Sequence, residues 1–217
     1  MTTLALLKAR PHHVARHPAR TRERILAAAL REFSDKGFAG ARVDRIARRA
    51  RINKRMLYHY FGNKETLFRE ILTRKVRERA AWAVTAPDDA AESLAFWFDT
   101  AWRDRDWVRL MEWEALGRDE EEANGDAERR AAFRKGVGQV RERQARGLLR
   151  ADVDPGHLLL AMVALTTFPA AFPQFTRLLT GLKATDRAFA TRYTALLRQL
   201  ADGLRPVRQR QVSEVRR

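Results

Sequence analysis

Between Arg20 and Phe68 the apolar residues come in short bursts of helical spacing, set so close together that only a tight cluster of small helices can bury them. Ile25, Ala29 and Phe33 recur at four-residue steps with Leu26 and Leu30 beside them, which makes one stripe on a helix expected over 21–36. Gly37 supplies a left-handed stop. Val43, Ile46, Ala47 and Ala50 form the inner face of a second, shorter helix over 43–50. A few turn residues later NKRMLYHYFGNKETLF runs from Asn53 to Phe68, with Asn53 placed to cap a third helix and Asn63 a fourth. Two helices separated by a tight turn, the second crowded with cations and aromatics, have the layout of a helix-turn-helix suited to a DNA groove.

The charge distribution points the same way. The chain has 217 residues and a net charge of +16. Residues 1–84 hold 21 Lys and Arg against 7 Asp and Glu, a net +14, whereas residues 85–217 hold 22 against 20. A basic segment joined to a nearly neutral one implies a polyanionic partner. Hydrophobic residues at 45% suffice for a real core, and no apolar run reaches the ~18 residues of a membrane-spanning helix. No secretory cleavage pattern opens the sequence, so the cytoplasm is the expected location. The absence of cysteine excludes disulfides, thiol nucleophiles and Cys-ligated metals. There is no Gly-rich phosphate loop, no H-E-x-x-H and no nucleophile elbow, so no enzyme and no cofactor are expected. His12, His13 and His17 lack an accompanying carboxylate cluster, so no metal site is expected either.

Lys54 and Arg55 fall in the first turn of the third helix, where a cation opposes the helix dipole at roughly 0.3–1 kcal/mol each. Approaching phosphates would reverse that penalty. Lys64, in the first turn of the fourth helix, poses the same puzzle. Tyr58 and His59 lie opposite the inward Leu57 and Phe61, where they reach bases or phosphates. Tyr60 fits either packing or DNA contact. Arg42, Arg45, Arg48 and Arg49 line the second helix, which in such a motif crosses the backbone.

The remainder reads as helical throughout, without strand alternation. A basic arm (1–19) precedes the helix-turn-helix unit (20–66), followed by a helical body (67–205) and a basic tail (206–217). Beyond a fourth helix over 64–84, helices are expected at 88–103, 105–117, 126–149, 154–172 and 186–204, with Pro169 kinking the penultimate one. One of Glu112 and Glu114 should face inward, with Arg109 the nearest partner at a helical spacing.

The strings ILAAALREFSDKGFAGARVDRIARRA and LYHYFGNKETLF resemble the DNA-binding domain of TetR-type (tetracycline-repressor-like) transcriptional regulators, over about Arg20 to Ile71. The resemblance implies an all-α protein with a C-terminal ligand-binding and dimerisation domain, a palindromic double-stranded DNA operator, and a small, largely apolar effector. It implies a repressor released by that effector, working as a homodimer away from any membrane. The competing reading is a general nucleic-acid or anionic-surface binder without ligand response. A cavity is implied among the large apolar side chains of the body, with Trp82, Trp97, Trp102, Trp107, Met111, Phe133, Met162, Leu165 and Phe168 as its candidate walls. The last two long helices are implied to dimerise, through Leu158, Phe172, Phe189, Tyr193, Leu197 and Leu200. Arg42, Arg51, Arg55 and Met56 depart from the small residues and turn glycine usual in the family, which points to an altered turn and altered operator contacts.

Overall fold

The computed structural model describes residues 18–117 and 127–206, and among these every regular element is a helix. Most of the basic arm, the basic tail and the three arm histidines lie outside the described residues.

Helices α1 (Pro18–Gly40), α2 (Val43–Arg49) and α3 (Lys54–Phe61) close around the first half of α4 (Lys64–Thr85). Their shared core is Ile25, Phe33, Ile46, Leu57, Leu67 and Phe68, all essentially inaccessible to solvent. Each such side chain contributes about 1.5–3 kcal/mol by leaving water. The asparagines act as predicted: Asn53 Oδ1 accepts the Met56 N–H at 2.7 Å, and Asn63 Oδ1 accepts that of Thr66 at 2.7 Å. Gly37 sits at φ 66°, and a Cβ there would stand 2.7 Å from the Trp113 ring, so two independent constraints demand glycine.

The turn between α2 and α3 departs from expectation. It is not remodelled to suit Arg51; instead Arg51 itself takes the left-handed conformation, at φ 55°. That costs on the order of 1–2 kcal/mol. Arg24 of α1 offsets the strain, its Nη2 donating to the carbonyls of Ala50 and Arg51. The Ile52 N–H closes the turn on the Ala47 carbonyl at 3.0 Å. Arg51→Gly is therefore expected to raise unfolding free energy by roughly 0.5–1 kcal/mol, the relieved strain exceeding glycine's greater unfolded freedom. Arg24→Ala should lower it by about 1 kcal/mol. Urea denaturation measures both, and a less stable Arg51→Gly protein would contradict the strain argument.

The body comprises the second half of α4 with α5 (Ala90–Arg103), α6 (Arg105–Gly117), α7 (Ala127–Ala145), α8 (Pro155–Ala171), α9 (Pro173–Thr180) and α10 (Arg187–Leu200), closed by a 3-10 turn at Ala201–Leu204. Asp89 caps α5 through the amides of Ala91 and Glu92, and Asp154 caps α8 through those of Gly156 and His157. Phe98, Leu149, Leu158, Phe189 and Leu197 bury themselves where α5 meets α8 and α10. Sequence periodicity predicts one helix ending at 172 and misses α9. The chain continues helically through Pro169 to Ala171, turns by 85° and restarts at Pro173. No single helix among the described residues is long and apolar enough to cross a membrane.

Helix α6 binds the body to the DNA-binding core. Leu110 enters that core, Trp113 Nε1 donates to the Ser34 carbonyl at 3.2 Å, and Ser34 Oγ donates to Asp106 Oδ1 at 3.0 Å. The inward carboxylate is Glu114, and its partner is Arg129 of α7, whose Nη1 lies 2.5 Å away. Arg109 pairs instead with Asp35, at 3.3 Å, because its own turn of α6 faces α1.

Candidate nucleic-acid interface and internal cavity

Helix α3 buries Leu57 and Phe61 and exposes Lys54, Arg55, Tyr58 and His59. Helix α2 buries Ile46 and Ala47, leaving Arg45, Arg48 and Arg49 exposed after the equally exposed Arg42. Arg42, Arg48, Arg51 and Arg55 make no side-chain ion pair among the described residues, so their charge is available to a polyanion. Lys54 Nζ reaches Asp44 at 3.1 Å, and this hydrogen bond pushes the ammonium pKa up. Two predicted contact residues are partly withdrawn. Tyr60 is half-buried against the core. Lys64 lies 4.8 Å over the Phe38 ring with Nζ 3.4 Å from the Ala39 carbonyl, and burial pushes its pKa down.

Sequence reasoning missed Glu32. Its carboxylate is buried at the start of α2, where Oε1 accepts the Arg42 N–H at 3.2 Å and the guanidinium groups of Arg45 and Arg49 stand 3.9 Å away. Arg42 gives α2 no side-chain cap, so this negative charge from α1 serves the helix N-terminus in its place. The one available signal was an acid directly beside the apolar stripe, next to Phe33.

A cavity of about 340 Å³ lies among α4, α5, α6, α7 and α8. Of the nine predicted wall residues, Trp97, Trp107, Met111, Phe133 and Met162 line it. The other four do not. Helix α4 presents Val76, Arg79, Ala80 and Ala83 to the cavity, a three-and-four-residue stripe from which Trp82 is excluded. Trp102 is turned into the α5–α8–α10 core, with Nε1 donating to the Ala184 carbonyl at 2.9 Å. Leu165 falls off the α8 stripe of Leu159, Met162, Val163 and Thr166, and its carbonyl accepts the Tyr193 hydroxyl at 2.9 Å. Phe168 is exposed, its ring 4.9 Å from Phe172. Arg79, Glu112, Gln139 and Arg143 add polar groups to the wall, and burial pushes the Glu112 carboxyl up from its ordinary value.

The residues predicted for the dimer interface divide. Leu158, Phe189 and Leu197 are core residues of the single subunit, Leu197 at 0% exposure, and Tyr193 is half-buried beside them. The cause is that α10 is apolar on two sides. Phe189, Tyr193 and Leu197 face α5, while Leu196 and Leu200 face outward. Phe172 and Leu200 are exposed, as are Leu160, Phe168, Phe175, Leu178 and Leu179 of α8 and α9, the last two at 80% exposure.

The sequence of this chain matches known families along most of its length. Residues 25–71 match the family described as bacterial regulatory proteins, tetR family, and residues 90–201 match the tetracyclin repressor-like C-terminal domain. The HTH-type transcriptional repressor SCO4008 of Streptomyces coelicolor is 36% identical over 167 residues, 77% of this chain and 87% of that one. The chain belongs to the TetR family. The HTH-type transcriptional repressor NicS of Pseudomonas putida is 33% identical over 165 residues, 71% of this chain and 77% of its own. Among solved structures, the transcriptional regulator SCO4942 of Streptomyces coelicolor superposes with a TM-score of 0.70 at 29% identity, covering 84% of this chain and 97% of that one. FadR of Bacillus subtilis in complex with stearoyl-CoA shares the fold, with a TM-score of 0.59 at 17% identity over 81% of this chain and 96% of its own. This TetR-family member is thus a helix-turn-helix DNA-binding transcriptional regulator.

Proposed function

We propose that this regulator is a cytoplasmic, homodimeric repressor, held on a palindromic operator by α2 and α3 and released when a largely apolar small molecule occupies the cavity. The observation that carries the reading is that two helices belong to both sites. Helix α4 places Phe68, Ile71 and Leu72 in the DNA-binding core and Val76, Arg79, Ala80 and Ala83 at the cavity. Helix α6 places Leu110 in that core and Trp107, Met111 and Glu112 at the cavity. A ligand that favours a different spacing of these helices necessarily favours a different placement of α3, which is a population shift with a defined mechanical link. The repressor names of the relatives from Streptomyces and Pseudomonas, and the ligand complex of FadR, support the sign of regulation and a small-molecule effector.

Dimerisation follows from chemistry on two counts. One helix-turn-helix reads only half a site. The outer apolar surface of α8, α9 and α10 is too extensive for a solitary soluble subunit, where large patches mark interfaces. Arg42, Arg45, Lys54 and Arg55 would take phosphates, and Tyr58 and His59 base edges. Tyr60 and Lys64 would act mainly by holding α3 and the α1–α2 connection in place.

Selection of bound duplexes from a random library tests the proposal. The expected product is a palindrome whose half-sites are about one helical turn, roughly 34–36 Å, apart. Enrichment of no sequence, with unrelated duplex competing equally, would favour general polyanion binding instead.

A further inference from the structure

Arg79 is a cation inside an apolar cavity without a partner for part of its fork. Its Nη1 is the only buried side-chain nitrogen or oxygen among the described residues that lacks a hydrogen-bond partner. The guanidinium lies 5.2 Å over the Trp97 ring and 5.4 Å over that of Trp107. Such stacking holds a guanidinium by its face and leaves its in-plane N–H groups for an acceptor. Asp104, whose carboxylate acts on this guanidinium, is itself bonded to Lys75 Nζ at 3.0 and 3.1 Å. Burial pushes the Arg79 pKa down, yet a guanidinium remains protonated in proteins, so the charge persists. A buried, unsatisfied donor costs about 1–3 kcal/mol, more when charged. With Asp104 already bonded to Lys75, the part of the guanidinium that lines the cavity marks the place where a ligand brings an acceptor.

We infer that the effector is an apolar monoanion, whose carboxylate or similar planar oxyanion takes the Arg79 guanidinium where it lines the cavity, while its hydrocarbon body lies against Trp97, Trp107, Met111, Phe133 and Met162. The inference rests on the effector reading of the cavity proposed above. The volume agrees with it. A water takes up about 30 Å³, so a water or halide against the guanidinium would leave most of the 340 Å³ and its apolar walls unused. Glu112 shares the cavity, and burial pushes its carboxyl pKa up from the ordinary value.

Two sets of probes matched in size discriminate the charge: decanoate, decanol and decyltrimethylammonium, and naphthoate, naphthamide and naphthylmethylammonium. Calorimetric titration of the full chain at neutral pH measures affinity, with a change in total tryptophan emission, to which Trp97 and Trp107 contribute, as a second readout. In at least one set the carboxylate should bind about tenfold or more tighter than its neutral match, with the cation weakest. Arg79→Met should abolish that preference while keeping neutral binding, and Arg79→Lys, which keeps charge but loses the fork, should retain part of it. Helical circular dichroism melts show whether each variant is folded; if Arg79→Met is not, the wild-type ranking and Arg79→Lys still decide. Equal affinity for neutral and anionic probes overturns the anion while the cavity reading stands. A preference for the cation overturns it in favour of Glu112. Binding of no probe in either set overturns both.

Discussion

Aspartate at both Phe172 and Leu178 is expected to divide the protein into folded monomers and to weaken binding to a full operator by roughly 10²–10⁴-fold, the factor that tethering two half-site contacts contributes. Both side chains are exposed on the subunit, so the substitutions remove nothing from its core. In a dimer they would be buried against a copy of the same surface, where an unpaired carboxylate costs several kcal/mol. Leu197→Asp serves as the contrasting variant. Leu197 is fully buried between α10 and α5, so an acid there should unfold the subunit rather than separate two of them. Sedimentation and circular dichroism distinguish the two outcomes, and gel shifts on whole and half sites read the affinity. A Phe172→Asp/Leu178→Asp protein that stays dimeric and binds the whole site as tightly as wild type would move the interface off this face.

The contrast between those variants shows where sequence reading reaches its limit. The DNA-binding unit was legible because its signals are local. The stripe of Ile25, Ala29 and Phe33, the Asn53 and Asn63 caps and the glycine at 37 each act within one helical turn of themselves. In the body the same periodicity is ambiguous. Helix α10 is apolar on two sides, and spacing alone could not say whether Leu197 or its neighbours Leu196 and Leu200 faced the subunit's own α5. Trp102 and Trp97 look alike in sequence, and only the packing of α5 sends one to the Ala184 carbonyl and the other to the cavity. Partners distant in sequence were likewise invisible: Glu114 with Arg129, Arg109 with Asp35, and Arg24 with the turn at Arg51. Helix α9 is eight residues long and opens with a proline, too short for periodicity to reveal.

DNA affinity should fall by about 10³–10⁵-fold between 50 and 200 mM salt, the range for a protein that neutralises roughly 6–10 phosphates. The motivation is the excess positive charge before residue 85 together with the cations Arg42, Arg48, Arg51 and Arg55, which carry no internal partner among the described residues. A dimer doubles that set, which places it within the same range. Single substitutions should then sort by role. Arg55→Ala is expected to weaken every duplex about equally and to make the salt slope shallower by about one per subunit. Tyr58→Ala and His59→Ala should leave the slope unchanged and cost about 1–3 kcal/mol of discrimination between the selected operator and its point variants. Lys64→Ala is the more delicate test. Its Nζ lies near the Ala39 carbonyl and over Phe38, so a purely structural role predicts a lower melting temperature without a change in salt slope. A direct phosphate contact predicts the reverse. Equilibrium binding at several salt concentrations reads all four variants. A flat salt response in the wild type would remove the electrostatic account of this interface, and unchanged discrimination in both the Tyr58 and His59 variants would show that α3 does not read the bases.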